Sequence, residues 1–513
     1  MISYSEKCAF SSLDEIKDKH VTIMGLGLNG GGEASVRFFL KHGAFVIATD
    51  MKDENFLKQT IDSINNDETL DKSKLTYRLG EHRIEDFENA DCVIKNQGVK
   101  YEGNKYLAAA KAIETDLSIF LRFTNCPIIA VTGSKGKSST VSSIYYGLKK
   151  AGFKCFLGGN ITVSPLSFFD EVTKETPVII EFSSWQLADL RGRKVLKPYI
   201  SIITKIVPDH QNWYGNMEDY VNDKKLIYKD QTKADYSIFD AEGDEIGTGP
   251  KQGGTWGDLF SSETKASVLR YGNSEFGKDN YKNIKYGVWQ VKDKDGNFCG
   301  KVFLPNMREP SIILRKLSVN GNHMKINVLN AALVLFLLGV SAEKTEEIIG
   351  SWEGIPHRLQ YFYSWKAKNV QFDFYNDSCA TVPEATAAAT QSFEKPITLI
   401  TGGTDKGLDL LPLIDVLTNK EKNQLPVKGL YFLEGSATDK ILPSLINNNI
   451  PYFGPFNSLD SLLKTMKVNF QNINSQKDTK EAIVFSPGAT SFGMFKNEFD
   501  RGEQFMNKVK ELF

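Results

Sequence analysis

Residues 130–140 read Ala-Val-Thr-Gly-Ser-Lys-Gly-Lys-Ser-Ser-Thr, and the reading of this stretch decides the fold class. The apolar run at 128–131 predicts a buried strand. Beyond the Gly-containing turn, Val141, Ile144, Tyr145 and Leu148 recur at helical spacing. Strand, Gly-Lys-Ser turn and helix together form a phosphate cradle. Backbone N–H groups at a helix start point at an anion, and the helix dipole favours negative charge there. The cradle would run through Gly133, Ser134, Lys135, Gly136, Lys137, Ser138 and Ser139. Lys137 would reach the β- and γ-phosphates and Ser138 would ligate Mg²⁺. Val131 stands where the usual first Gly of this motif falls. Taken alone, the tripeptide is therefore also compatible with an ordinary Gly turn.

Working outward, the 513 residues are enough for about three domains. Hydrophobic residues make up 41% and charged residues 24%, an ordinary balance for a globular chain. A net charge of −1 offers no basic field for non-specific nucleic-acid binding. Six cysteines, at 8, 92, 126, 155, 299 and 379, form no C-x-x-C. This argues against a zinc ribbon or disulfide framework and for a reducing compartment. The first residues carry no apolar signal-peptide core, and no 18-residue apolar run predicts a span. The expectation is a cytoplasmic monomer with no nucleic-acid partner and no membrane span.

Residues 21–24 predict a strand, followed by Gly25, Gly27 and Gly30, a helix to about 42, and a second strand over 44–49. Asp50 then falls at the distance expected of a dinucleotide-type βαβ opening. That fingerprint alone also suits an NAD-dependent oxidoreductase, which would leave 130–140 unexplained. Residues 92–94 read as a later strand of the same sheet. Short apolar runs at 178–180 and 200–203 suit parallel strands buried on both faces. Between about 240 and 300 no helical period is visible, which predicts small antiparallel strands and loops. Residues 323–338 predict a long apolar helix, and Gly354-Ile355-Pro356 marks a boundary. Apolar runs at 397–400, 430–433 and 483–485, separated by helical stretches, predict a third α/β unit. The expected fold is α/β with three domains. They are a Rossmann-like domain over 1–125, a P-loop ATPase-like domain with a mostly parallel sheet over 126–353, and a Rossmann-like domain over 354–513.

Further candidates lie at strand ends. Glu181 follows 178–180, where a carboxylate can hold Mg²⁺ for a nucleotide on a neighbouring loop or be a solvated strand-end residue. Asp209-His210 can orient a metal or phosphoryl group or be structural. Lys224 falls between Tyr220 and Tyr228 at four-residue spacing, a pattern open to an exposed helix lysine. Arg358, beside the boundary, suits a phosphate or adenine contact made on domain closure. Asn376-Asp377-Ser378, the turn 402–407 and the turn 486–491 line one sheet edge, where small ligands bind, or are ordinary βα turns.

The order of these motifs resembles the Mur ligase family of amide-forming ATPases over nearly the whole chain, apart from about 240–300. The Gly354 and Ser486 segments look like its glutamate-adding branch. The resemblance implies ATP with two Mg²⁺, UDP-N-acetylmuramoyl-L-alanine and glutamate, with UDP rather than NAD on the first domain. Leu28, Asn29, Met51, Lys52 and Asn96 match uracil- and diphosphate-contacting positions, and Asn160 and His210 match positions near the sugar and carboxylate. Lys137 and Ser138, with Glu181, match holders of the ATP phosphates and the first Mg²⁺. Lys224 matches a lysine that is carbamylated in this family, which makes it an oxygen ligand for cations; His210 is a further metal ligand and the candidate base. Asn327, Arg358 and Asp377 match adenine, phosphate and ribose contacts, and Thr381, Lys406, Ser491 and Phe492 match the glutamate pocket. Cys379, Val382, Gly493 and Glu498 depart from the branch, which otherwise has Lys, Asn, Asp and an aromatic residue there. D-glutamate is the expected acceptor, and L-glutamate or another amino acid stays open.

Overall fold

The computed structural model describes residues 4–5, 8–28, 30–161, 163–209, 214–243, 249–273, 286–292, 298–315, 322–393, 395–405, 407–418, 425–473, 478–491 and 494–513. Contacts divide the chain into two compact units, Met1–Leu317 with Ile326–Gly350 and Ser318–Lys325 with Ser351–Phe513.

The first unit carries two sheets. The first contains β1 (His20–Met24), β2 (Phe45–Asp50), β3 (Leu75–Leu79), β4 (Cys92–Lys95) and β5 (Ile113–Glu114). Their order is β3-β2-β1-β4-β5, and every pairing is parallel. The order reverses between β1 and β4, so their carboxyl ends flank a crevice of the kind that takes ligands in α/β sheets. The helix Gly31–Lys41 follows β1 and buries Val36, Phe38, Phe39 and Leu40.

The second sheet holds β6 (Ile128–Thr132), β7 (Phe156–Gly159), β8 (Val178–Glu181), β9 (Ile200–Ile203), β10 (Tyr236–Asp240), β11 (Ser267–Gly272), β12 (Gly287–Lys292), β13 (Phe298–Phe303) and β14 (Ser311–Leu314). Its order is β14-β13-β12-β11-β10-β9-β6-β8-β7. β6 lies between β8 and β9 and is buried along its whole length, as a strand covered on both faces must be.

The stretch 240–300 departs from expectation. Instead of small antiparallel strands and loops, its first half is another βαβ step: the helix Trp256–Glu263 leads into β11, which pairs parallel with β10. Thr255 caps that helix by accepting from the Asp258 N–H, and Trp256 and Phe260 are its buried anchors. Two anchors in one short helix leave too little period to read in sequence. Antiparallel pairing is confined to β12, β13 and β14.

One apolar cluster runs through both sheets of this unit. Phe38 meets Phe169 at 5.1 Å and Phe120 meets Phe168 at 5.8 Å between ring centroids. The buried rings of Phe38, Phe120 and Phe168 each contribute about 1.5–3 kcal/mol. The helix Asn322–Leu337 is fully buried from Val328 to Leu335, where every residue but Asn330 is apolar, as a helix surrounded by core must be.

The second unit holds β15 (Gln360–Ala367), β16 (Val370–Asn376), β17 (Ile397–Gly402), β18 (Val427–Leu433), β19 (Phe453–Phe456) and β20 (Thr479–Phe485), in the order β15-β16-β20-β17-β18-β19. Only the β15–β16 hairpin is antiparallel. β20 lies between β16 and β17, so the carboxyl ends of these strands adjoin. Among the described residues, no helix is long and apolar enough to cross a membrane.

Candidate active site

β6 ends at Thr132, and Gly136 caps the helix Lys137–Lys150 with φ +92°. A Cβ on Gly136 would approach Asn327 Oδ1 to 2.5 Å, so both its backbone angle and this close approach require glycine. The helix start therefore faces Asn327. Lys137 Nζ folds back over the turn and donates to Gly133 O at 2.9 Å and Ser134 O at 3.0 Å. Burial lowers its pKa, against the pull of Glu181 and Asp209.

Lys224 ends the helix Met217–Lys224, is 1% exposed, and donates to Gly133 O at 2.9 Å. Its ammonium lies 4.5 Å from the Tyr220 ring centre. Burial, reinforced by the Lys137 charge, pushes its pKa well below that of an ordinary lysine. Tyr220 donates its hydroxyl to Ser134 Oγ at 3.0 Å, which donates in turn to Val207 O at 2.8 Å. The alternative of an exposed helix lysine does not hold: Lys224 is buried against the loop. Glu181, at the end of β8, is 1% exposed. Its Oε1 accepts from Asn160 Nδ2 at 2.9 Å, while Oε2 is buried and has no hydrogen-bond partner among the described residues. A buried carboxylate oxygen without a partner is costly unless a cation or donor meets it. This oxygen fits a Mg²⁺. Among the described residues no three His, Cys, Asp or Glu side chains converge.

One residue escaped the sequence reading. Asn330 is fully buried one turn after Asn327, and both polar atoms of its amide lack partners among the described residues. An N-x-x-N spacing on one helix face was the available signal.

At the first sheet, Asn96 Nδ2 donates to Gly25 O at 3.1 Å, which places it against the glycine turn. Leu28 and Met51 are exposed apolar side chains at the carboxyl ends of β1 and β2, with Lys52 over the Phe56 ring. Asp50 does not wait for a ribose: its Oδ2 accepts from Gly27 N and its Oδ1 from Lys52 N, both at 2.9 Å. Both oxygens thereby close the turns that flank the carboxyl ends of β1 and β2.

In the second unit, Asp377 follows β16, and its carboxylate accepts from Ser486 Oγ at 2.7 Å and Leu359 N at 3.0 Å. Burial pushes its pKa up to about 7. Arg358 is exposed between two residues with left-handed backbone, His357 at φ 61° and Leu359 at φ 42°. The turns after β16, β17 and β20 are bonded to each other: Gly488 N donates to Ala380 O at 2.9 Å, and Thr490 N to Thr404 O at 3.1 Å. Thr381 and Ser491 belong to these joined turns. Arg501, 1% exposed, clamps them further, a role its place in the sequence did not disclose. It donates to Ser378 Oγ, Ser378 O and Ala489 O at 3.0, 2.8 and 3.0 Å. Asn29, His210, Lys406, Phe492 and Gly493 lie outside the described residues.

A phosphate loop on a mostly parallel sheet, with a half-buried lysine, a buried lysine and a buried carboxylate around it, is the site of an enzyme that handles phosphoryl groups. Residues 131–335 match the family model of the Mur ligase middle domain. The chain is similar in fold to MurF from Acinetobacter baumannii, with a TM-score of 0.53 at 15% identity and 91% of each chain covered. It is 39% identical over 509 residues to the UDP-N-acetylmuramoylalanine--D-glutamate ligase of Borreliella burgdorferi (strain ATCC 35210), covering 98% of this chain and 99% of that protein. The ligase of the same name from Treponema pallidum (strain Nichols) is 35% identical over 561 residues, covering 97% and 98%. The chain belongs to the Mur ligase family.

Proposed function

We infer that this chain is an ATP-dependent ligase that joins D-glutamate to UDP-N-acetylmuramoyl-L-alanine, a step in making peptidoglycan precursors. The observation that carries the reading is the phosphate loop backed by Glu181, whose Oε2 has no partner among the described residues. Full-length relatives of that name support the choice of substrates. The muramoyl-alanine carboxylate attacks the γ-phosphorus of ATP, and ADP leaves. The resulting acyl phosphate is attacked by the glutamate amine, and phosphate leaves as the amide forms. Lys137, released from Gly133 and Ser134, meets the transferring phosphoryl group. Ser138 and Glu181 are the proposed holders of one Mg²⁺, and a carbamylated Lys224 with His210 those of a second. Bound there, Mg²⁺ supplies positive charge that offsets the charge on the transferring group.

Asn327 and Asn330 are assigned to adenine, and Arg358 and Asp377 to phosphate and ribose. Leu28, Asn29, Met51, Lys52 and Asn96 are assigned to UDP, and Asn160 to the sugar side. Thr381, Lys406, Ser491 and Phe492 are assigned to glutamate. Six cysteines that form no disulfide among the described residues support the cytoplasm as the setting. The test is ADP formation with UDP-N-acetylmuramoyl-L-alanine and a panel of D- and L-amino acids. D-glutamate is expected to give the highest rate. The second reading, L-glutamate, is favoured by the altered positions Cys379, Val382 and Glu498, and an equal or higher rate with L-glutamate would establish it.

A further inference from the structure

Lys95 is the last residue of β4 and is buried to 3% exposure. Its Nζ lies 2.8 Å from Asp189 Oδ2. Asp189 ends the helix Ser184–Asp189, which follows Glu181 on the second sheet. The same Nζ donates to Val99 O at 2.8 Å and to Asn96 O at 3.3 Å. A lysine has three N–H donors, and here all three are matched by acceptors. The ammonium thus ties the turn 96–99 of the first sheet to a helix of the second.

The surroundings are equally specific. Arg193 pairs with Glu114 at 2.8 Å, both 2% exposed, and donates to Ile113 O at 2.7 Å. Tyr4 lies 4.2 Å under that guanidinium and donates its hydroxyl to Asp189 Oδ1 at 3.3 Å. Ser164 Oγ donates to Asp116 Oδ2 at 2.6 Å. Lys95, Asn96, Asp116 and Ser164 line the same cleft as Gly25 and Gly27. A buried ion pair contributes little or nothing over an apolar pair of the same size. Stability alone therefore does not account for Lys95, whereas fixed geometry does.

We propose that Lys95 is a positioning residue for the nucleotide-sugar substrate. It pins the 96–99 turn, and with it the Asn96 side chain, so that the crevice beside Gly25 is assembled before the substrate arrives. The inference rests on the reading that a uridine diphosphate group binds there.

The experiment is calorimetric titration of the full chain with UDP, beside steady-state kinetics of ADP formation. Lys95→Met is expected to weaken UDP binding about tenfold and to raise KM for the UDP substrate similarly, with KM for ATP and kcat changed less than about twofold. A merely structural role would lower kcat or the folded yield without this split. Lys95→Met also strands the Asp189 carboxylate. The double variant Lys95→Met/Asp189→Leu removes that penalty and carries the test where the single variant does not fold. It is expected to melt near the wild-type temperature and still bind UDP weakly, because the carbonyls of Asn96 and Val99 have lost their donor. Wild-type affinity for UDP in either variant overturns the proposal. Failure of the wild-type chain to bind UDP overturns the underlying reading instead.

Discussion

Lys224 Nζ donates to the carbonyl of Gly133 at 2.9 Å, across 91 residues of chain, and Lys137 Nζ reaches the same oxygen at the same distance. Two ammonium groups on one carbonyl is an unfavourable arrangement, and Lys224 is the one whose charge is more strongly suppressed by burial and by its neighbour. The proposed carbamylation of Lys224 is the attack of its neutral amine on CO₂, with release of one proton. The carbamate converts a repelled cation into an oxygen ligand.

Lys224→Ala is accordingly expected to lose at least roughly 10²-fold in kcat, as when a charge-stabilising group is removed. Acetate or another short carboxylic acid is expected to restore part of that rate by supplying the missing oxygens. Lys137→Ala is expected to lose roughly 10²–10³-fold and to gain nothing from acetate, because a cation is missing there. Steady-state ADP formation across an acetate titration distinguishes the two. Wild-type activity in Lys224→Ala would remove this residue from the metal site.

Asp377 sets a pH dependence of stability. Its folded pKa, about 7, lies above the ordinary carboxylate value of 3.8, so between these values the folded chain holds the proton more tightly than the unfolded chain. Stability contributed by this group is therefore fully present below about pH 4 and falls as pH rises towards 7. Asp377→Asn, which can still accept from Leu359 N, is expected to melt higher than wild type near pH 7.5. The difference should shrink towards pH 4. Thermal melts at several pH values read it directly, and a difference independent of pH contradicts the assignment. Nucleotide turnover is expected to fall in the same variant.

Local pattern made much of this legible. The run 128–131, the Gly-Lys-Ser turn and the helix after it are contiguous, so strand, cradle and helix could be read from neighbouring residues. Glu181 was placed by its position at a strand end. What stayed hidden depends on partners far away in sequence. Arg501 gains meaning from Ser378, 123 residues earlier, and Ser134 is held by Tyr220, 86 residues later. Asn330 is hidden for another reason: its significance is the lack of a partner inside the core, which no sequence pattern displays. The helix Trp256–Glu263 was missed because it is short and anchored by few apolar residues.

Asn330 yields a test with opposite signs for stability and function. Replacing a buried polar group that makes no bond with an apolar group of similar shape is nearly neutral or stabilising. Asn330→Leu is therefore expected to melt at or above the wild-type temperature without nucleotide. If the amide meets adenine, the same variant raises KM for ATP about tenfold, a loss of roughly 1.4 kcal/mol, with KM for the UDP substrate unchanged. A lower melting temperature with unchanged KM for ATP would show that the amide is satisfied within the core.

Arg501 tests the joined turns of the second unit. Its guanidinium bonds Ser378 through two contacts and Ala489 through a third, at 2.8–3.0 Å, so it holds the turns that carry Thr381 and Ser491. Lysine keeps the charge but lacks the planar fork, and an Arg-to-Lys change at such a site is not conservative. Arg501→Lys is expected to raise KM for D-glutamate roughly tenfold or more while KM for ATP and for the UDP substrate change less than about twofold. Its melting temperature should also fall, since at least one of the buried carbonyls loses its donor. Should KM for D-glutamate stay at the wild-type value while the melting temperature drops, the clamp serves folding alone, and the turns hold their geometry without it.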